Sequence, residues 1–426
     1  MRILVFSLAL LTLLGTTSIG QTAAEMKIAA DADRAATAAY RNKAYLEFLR
    51  QMEIANLNRP NHPRLIYNLA IAFALNGRTD EAQNSLVRLA KMGLGYAFDK
   101  NEDIKVLLDD DRFRKISADA AANLNPVNAS IRLLELSDKT MIAESVAFDA
   151  KSKQHIVGSI HKRKIVSADS NGFEKDFSAS TDGLFAVLGM KVDPIRNTLW
   201  VASSAVPQMS GFADVDKGRS GIFKYDLSNR KLLRKYLLPE GEQHMLGDVW
   251  IDRKGNVFAT DSVSPNIYRI DPSEDKMELF IASDLFASLQ GITGGSNPNE
   301  LFVADYAKGI FRIDLKARAI VQLKPDTNVT LLGTDGLYLY GGKLIAIQNG
   351  ITPNRVAAFT IVGDRVTSTA ILEANHADFL EPTLGYLAGD DLVYVANSQG
   401  PLVNEKAELQ TEKLRNPLVL KVSLER

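Results

Sequence analysis

At 426 residues the chain is too long for one ordinary domain, and its content of 46% hydrophobic and 24% charged residues is typical of a soluble globular protein. A formal net charge of −1 gives no electrostatic reason to expect nucleic acid or an anionic membrane as a partner. Because the sequence has no cysteine, disulfides, thiolate metal sites, iron–sulfur clusters and a cysteine nucleophile are excluded. Any chemistry must therefore use oxygen ligands, imidazoles or hydroxyls.

Residues 1–24 have the pattern of a secretory signal peptide. Arg2 is followed by an apolar stretch from Ile3 to Leu14 and by a small, polar tail. Three cleavage positions fit this tail, after Gly20, Ala23 or Ala24. The alternative is an uncleaved membrane anchor. We expect a periplasmic or secreted protein with no membrane span once the leader is removed.

Residues 25–125 are predicted to form an all-helical domain. Alanine is abundant, and apolar residues recur at intervals of three and four from Pro63 to Gly93, with a break at Gly77. This segment resembles a tetratricopeptide repeat, and 35–61 resembles a weaker copy. A last helix is expected over 104–121. Fewer than three repeats make a poor solenoid, so two interpretations stay open. The helices either cap the next domain or form a groove for a protein partner.

Residues 130–426 are predicted to form a six-bladed β-propeller, which makes the protein mainly β. Short apolar runs alternate with Gly, Asp, Asn and Pro turns, and the unit recurs every 40–60 residues. Four strands in each of six units indicate a propeller, whereas a β-sandwich array is the competing fold. The six inner strands are expected to begin at Glu144, Leu188, Gly247, Gln290, Asp335 and Thr383.

Polar residues at these strand starts predict a site at one end of the propeller channel. Inner strands of a propeller begin near the same end of the channel, so Glu144, Gln290 and Asp335 should converge there. Asp248 and Glu381 stand within two positions of two other starts. Carboxylates gathered around one axis repel each other unless a cation compensates them, and hard oxygen ligands suit Ca²⁺. The alternative is that each acid only accepts hydrogen bonds in a turn.

The propeller resembles the gluconolactonase and senescence-marker-protein family, and is more distantly similar to paraoxonases and strictosidine synthases. The motifs that carry the resemblance are AESVAFD at Glu144 and TDGLYLYGG at Asp335. The family holds a divalent metal, Ca²⁺ or Zn²⁺, through a Glu opening blade one, an Asn opening blade four and an Asp opening blade five. The resemblance therefore implies a metal site at Glu144, Gln290 and Asp335, with Ca²⁺ favoured. Gln290 replaces the family's Asn, and Gly247 replaces an Asn near the substrate.

Lactonase activity is what this resemblance implies. The metal would polarise an ester carbonyl, and Asp335 or Asp248 would act as general base. His244 is a candidate second base, and His376 and Glu381 are candidates for contacts with a small-molecule substrate. Gln348, Asn349 and Asn354 follow a blade-five strand and are placed where they could line the channel mouth.

Two hypotheses therefore stay open. The first is an exported metal-dependent hydrolase of lactones or related esters. The second is a non-catalytic binding or scaffold protein of the cell envelope, whose helices recruit a protein partner. Fold alone does not choose between them, because propellers serve both uses.

Overall fold

A computed structural model describes residues 19–404, 406 and 408–425 of the chain. Residues 1–18 of the predicted leader lie outside the described residues. The described chain has an all-helical region followed by a six-bladed β-propeller, as predicted. None of the described helices combines the length and the apolar character needed to cross a membrane.

Five α-helices form the N-terminal region. They are α1 Ala23–Arg41, α2 Tyr45–Asn58, α3 Pro63–Leu75, α4 Thr79–Lys91 and α5 Asp111–Ala122. Pro63 starts α3, where its missing N–H is no loss, and Gly77 follows the end of α3 in the left-handed conformation (φ 74°). Each helix packs on the next, and Ala70 and Ala82, both fully buried, let α3 and α4 approach closely.

The last predicted helix differs from the structure at its start. Residues Glu102–Leu107 form a 3₁₀-helix, preceded by a shorter one at Phe98–Lys100, and the α-helix begins only at Asp111. Asp110 caps it by accepting a hydrogen bond from the backbone N–H of Arg112 at 2.7 Å. An Asp at this place stops a helix from extending backwards, which is why the predicted start at residue 104 was wrong.

Blades one to three are four-stranded antiparallel sheets built from consecutive strands. Blade one contains β2 Ala143–Asp149, β3 Gln154–Ser159, β4 Lys164–Ala168 and β5 Glu174–Asp176. Blade two contains β6 Ala186–Asp193, β7 Thr198–Ser204, β8 Ser220–Asp226 and β9 Leu232–Leu237. Blade three contains β10 Leu246–Ile251, β11 Val257–Asp261, β12 Asn266–Asp271 and β13 Lys276–Ala282.

Blades four to six include the two exceptions to this order. Blade four contains β14 Leu289–Gly294, β15 Glu300–Asp305, β16 Gly309–Asp314 and β17 Ile320–Gln322. Blade five contains β19 Thr334–Tyr340, β20 Lys343–Gln348, β21 Arg355–Val362 and β22 Arg365–Ala374, with β18 Lys324–Pro325 added in parallel to β22. Blade six contains β23 Gly385–Ala388, β24 Asp391–Val395, β25 Leu418–Ser423 and, as its outermost strand, β1 Ile131–Glu135.

The inner strands β2, β6, β10, β14, β19 and β23 contact one another in that order, and β23 returns to β2. This is the closed ring expected of a propeller, and the predicted strand starts lie within two residues of the observed ones. Between the blades, apolar clusters form the core, such as the one that contains Ile156 of blade one and Leu199 of blade two.

The helical region packs against blades four and five. Arg355 on β21 is fully buried, and its guanidinium donates to the backbone oxygen of Met92 at 2.8 Å and to Oε1 of Gln348 at 2.8 Å. The Gly95 N–H donates to the Thr352 oxygen at 3.0 Å. The helices are thus joined to the propeller by buried polar contacts.

Candidate functional site

A cavity of about 270 Å³ lies at the end of the channel where the inner strands begin. We call it the channel-mouth cavity. Its lining includes all six predicted strand-start residues and the two neighbouring acids, namely Glu144, Leu188, Gly247, Asp248, Gln290, Asp335, Glu381 and Thr383. Four carboxylates and one amide from five different blades therefore meet in one small space.

A β-bulge near the start of the inner strand directs these side chains into the channel. In five of the six blades the pairing register shifts within the first residues of the inner strand, between Ala143/Ser145, Val187/Met190, Leu246/Val249, Leu289/Ile292 and Thr334/Leu337. Glu144, Asp248, Gln290 and Asp335 lie inside these shifts. Bulges leave a residue outside the ladder and re-aim its side chain, so the same backbone device presents each polar group.

Glycines beside the polar residues allow the inner strands to approach. A Cβ on Gly189 would lie 2.5 Å from Oδ1 of Asp248, and one on Gly291 would lie 2.3 Å from the backbone oxygen of Asp335. Neither position has room for a side chain. The glycine of one blade thus makes space for the acid of the next blade.

The acids on the blade-five, blade-six and blade-one side of the cavity disfavour one another's ionisation. Burial, followed by the nearby charges of Asp335 and Glu381, raises the pKa of Glu144 well above its ordinary value. Burial and the charge of Glu381 raise the pKa of Asp335 to about 7. The pKa of Glu381 is also raised, mainly by burial. Three carboxylates without a counter-charge thus hold protons more tightly than they would in water.

Asp248 lies across the cavity and is almost completely buried. Its Oδ2 accepts a hydrogen bond from the Ile292 N–H at 3.3 Å, whereas its Oδ1 has no hydrogen-bond partner among the described residues. Burial raises the pKa of Asp248, although the charge of Lys191 opposes that shift. An unpartnered buried carboxylate oxygen points to a missing proton, donor or cation.

Two polar side chains hold the acids in place. The Ser398 hydroxyl donates to Oε2 of Glu144 at 2.7 Å, and Nδ2 of Asn349 donates to Oδ2 of Asp335 at 2.8 Å. Both residues line the channel-mouth cavity. The sequence indicated Asn349 from its position after a strand, but Ser398 was missed because a serine in a loop carries no distinctive signal.

Strained backbone surrounds Glu144 and Glu381. Ile142, Glu381 and Gln399 have left-handed φ angles of 49°, 66° and 63°. A buried β-branched residue such as Ile142 rarely adopts this conformation. Non-glycine residues in left-handed conformations cost free energy and concentrate at functional sites.

Neither candidate histidine lines the channel-mouth cavity. His244 is buried, and its Nδ1 lies 2.7 Å from Oδ2 of Asp261. The Nδ1 of His376 accepts a hydrogen bond from the Asp378 N–H at 3.1 Å. The structure therefore brings Glu144, Asp248, Gln290, Asp335 and Glu381 together but does not bring the two imidazoles to them.

The donor set of the cavity suits a hard divalent cation in its chemistry. Carboxylates and amides are the oxygen ligands that Ca²⁺ prefers, and the unpartnered oxygen of Asp248 and the raised pKa values mark a deficit of positive charge. In the described part of the chain, however, no three Asp, Glu or His groups are gathered closely enough to chelate one ion. The predicted set of Glu144, Gln290 and Asp335 contains two carboxylates and one amide.

Comparisons with known proteins concern the fold. No protein-family model and no curated protein matches the chain. Among solved structures, it is similar to a gluconolactonase from Xanthomonas campestris at 12% identity and a TM-score of 0.48, over 71% of this chain and 93% of that one. It is also similar to a luciferin-regenerating enzyme (12%, 0.47, 70% and 95%) and to a calcium-binding regucalcin from Agrobacterium tumefaciens (13%, 0.46, 68% and 95%). Because the sequence identities and TM-scores are this low, any activity must be argued from the site.

Proposed function

We propose that the protein is a hydrolase of lactones or related esters that acts in the channel-mouth cavity. The observation that carries this proposal is the meeting of four carboxylates from four blades in a cavity of about 270 Å³, with raised pKa values and an unpartnered oxygen on Asp248. Structural acids in turns are normally exposed and hydrogen-bonded, so this arrangement differs from that alternative.

A divalent cation, Ca²⁺ rather than Zn²⁺, would bind between Glu144, Gln290 and Asp335. When bound, it would act as a Lewis acid on the ester carbonyl and promote loss of a proton from water. The protein's own part is to hold the ligands, and Ser398 and Asn349 do this through hydrogen bonds to Glu144 and Asp335.

Asp248 is the carboxylate we assign as general base. It lines the cavity, its Oδ1 has no hydrogen-bond partner among the described residues, and in this assignment it is not needed as a ligand. Water attacks the carbonyl carbon and Asp248 takes its proton; the ring C–O bond then breaks, and the leaving alkoxide receives that proton from Asp248. Apolar lining residues such as Leu188 and Met245 would exclude bulk water.

The decisive experiment measures metal content and lactone hydrolysis together. Protein purified without chelator should contain one divalent ion per chain by mass spectrometry, and Asp335→Ala should lose it. Asp248→Asn should retain the ion but lose at least about 100-fold in kcat, which is the usual contribution of a general base. An ion-free wild-type protein whose melting temperature ignores added Ca²⁺ and Zn²⁺ would contradict the proposal and favour the scaffold hypothesis.

A further inference from the structure

Two further cavities lie where the helices meet the propeller. Their volumes are about 590 and 540 Å³, and they adjoin, because they share the lining residues Arg59, His62, Ala307 and Leu332. We call them together the junction groove. One wall comes from the α2–α3 loop and from residues 19–21, which lie in the predicted leader, and the other comes from blades four and five.

The junction groove is basic, in contrast to the channel-mouth cavity. Five of its lining residues are Arg or Lys, and one is acidic: Arg59, Arg64, Lys308, Lys324, Arg365 and Glu25. The channel-mouth cavity is lined by four acids and no base. The linings of the two sites thus carry opposite charge, although the whole protein is close to neutral.

Two of the cations in the junction groove have only backbone oxygens as partners. Arg59 is half-buried and donates to the Ala307 oxygen at 2.6 Å. Lys308 is 6% exposed, and its Nζ donates to the oxygens of Gln21 and Leu285 at 2.9 and 2.7 Å. The ion pairs of the described residues at 4.0 Å or less include neither of them, whereas Arg64 pairs with an aspartate.

Each of these cations keeps N–H donors that no protein acceptor uses, while carboxylates nearby, Asp305 among them, compensate part of both charges. Burial lowers the pKa of Lys308, and burial together with the charge of Arg64 lowers that of Arg59. His62 adds a neutral group, because burial and the charges of Arg59 and Arg64 lower its pKa to about 4. Its Nδ1 is buried without a partner in the described chain. An oxyanion in the groove would accept hydrogen bonds from the unused donors of Arg59 and Lys308.

A hydrogen-bonded chain links the groove to the channel-mouth cavity. Tyr306 lines the groove and donates from its hydroxyl to Oδ1 of Asn349 at 3.1 Å. Asn349 lines the channel-mouth cavity and donates to Oδ2 of Asp335 at 2.8 Å. The side chains of Tyr306 and Asn349 therefore connect the lining of the groove to a carboxylate of the proposed active site, although the two cavities share no lining residue.

We propose that the junction groove binds the oxyanion, a carboxylate or a phosphate, of a small molecule, with Arg59 and Lys308 as its charge partners. This inference rests on the proposed function and names its substrate class, which is an ester or lactone that also carries an acidic group. The acidic group would bind between the helices and the propeller while the carbonyl enters the channel mouth. The helical region would then form one wall of the substrate site.

Binding is tested without turnover, in EDTA, with inorganic phosphate and succinate as separate probes in isothermal titration calorimetry at constant ionic strength. We expect at least one probe to bind with a Kd in the millimolar range or below, and Arg59→Gln to weaken it at least tenfold. The stronger probe identifies the oxyanion. Arg50→Gln, on the exposed face of α2 and paired with Glu47, is the matched control and should change nothing.

If Arg59→Gln does not fold, Lys324→Gln provides the test. Lys324 lines the groove from an exposed position, and its loss should weaken binding at least threefold. No binding of either probe to the wild type, or equal binding by wild type and the groove variants, overturns the proposal. Asp335→Ala should leave phosphate and succinate binding intact. Loss of hydrolase activity in that variant therefore bears on the proposed function alone.

Discussion

Asp335 is a buried acid whose ionisation depends on what surrounds it. Its pKa is raised to about 7, whereas an Asp in an unfolded chain titrates near 4. At a pH between these two pKa values, the folded state therefore still holds a proton that the unfolded state has already lost. In the absence of metal, the contribution of this residue to stability falls as the pH rises through this window, and stays low above it.

Asp335→Asn should remove that pH dependence. In EDTA the wild-type free energy of unfolding should fall between pH 5 and pH 7.5, whereas the variant's should fall less, leaving the variant on the order of 2 kcal/mol more stable at pH 7.5 than the wild type. Urea unfolding at both pH values measures this difference. Parallel curves for the two proteins would show that Asp335 is ionised throughout.

The sequence could predict the positions of the site residues but not the directions of all their side chains. Glu144, Gln290 and Asp335 were found because the starts of inner strands must converge in a propeller. His244 stands near such a start as well, yet its ring turns to Asp261. The direction of this ring depends on tertiary packing, which the spacing of residues in the sequence does not predict.

At the scale of elements, the short segment before α1 is part of the fold. The Ile19 N–H donates to the Ile320 oxygen, and the Gln322 N–H donates to the Ile19 oxygen, both at 2.8 Å, so the segment extends the edge of blade four. Thr22 then caps α1 in a reciprocal capping box with Glu25. Cleavage after Ala23 or Ala24 would remove both contacts, whereas cleavage after Gly20 would keep the cap.

In protein that keeps Thr22, as after cleavage at Gly20, Thr22→Ala should lower the free energy of unfolding by about 1 kcal/mol, because the first turn of α1 loses its side-chain acceptor. Thr37→Ala, inside the same helix, is the control and should stay within about 0.5 kcal/mol of the wild type. Chemical denaturation of the three proteins provides the comparison. Equal losses from the two substitutions would show that the cap is not formed.

The positions of the inner strands were predictable at this scale, but two local features were not. The repeated turns and apolar runs placed the six inner strands within two residues of their observed starts. The bulges that aim Glu144, Asp248, Gln290 and Asp335 follow from inter-strand register, which is not a local property. The late start of α5 at Asp111 was missed because apolar periodicity continues through the preceding 3₁₀ turn.

At the scale of the whole molecule, Arg355 joins the two regions. Burial lowers the pKa of its guanidinium to about 10, so it stays charged at neutral pH although it has no carboxylate partner among the described residues. Its Nε and Nη1 instead satisfy oxygens of both regions, whereas its buried Nη2 has no partner among the described residues. The helices are therefore held as a cap on the propeller, while a further role in recruiting a protein partner stays a prediction.

Arg355→Met should destabilise the protein by about 2–4 kcal/mol, because buried oxygens at Met92 and Gln348 lose their donor. Arg312→Met removes an ion pair with Asp364 on the surface of blade four and should cost about 0–1 kcal/mol. Differential scanning calorimetry would measure both, and would show whether helices and propeller still melt in one transition. A wild-type melting curve for Arg355→Met would contradict this role.

The placement of β1 in blade six has a consequence for incomplete chains. This strand precedes the other propeller strands, but its partner β25 runs from Leu418 to Ser423, almost at the last residue. A nascent or truncated polypeptide that stops short of Leu418 lacks β25. Strand β1 then has an unpaired edge, and blade six is not closed. Such fragments should aggregate through that edge rather than persist as smaller propellers, since an unpaired strand is a template for intermolecular pairing.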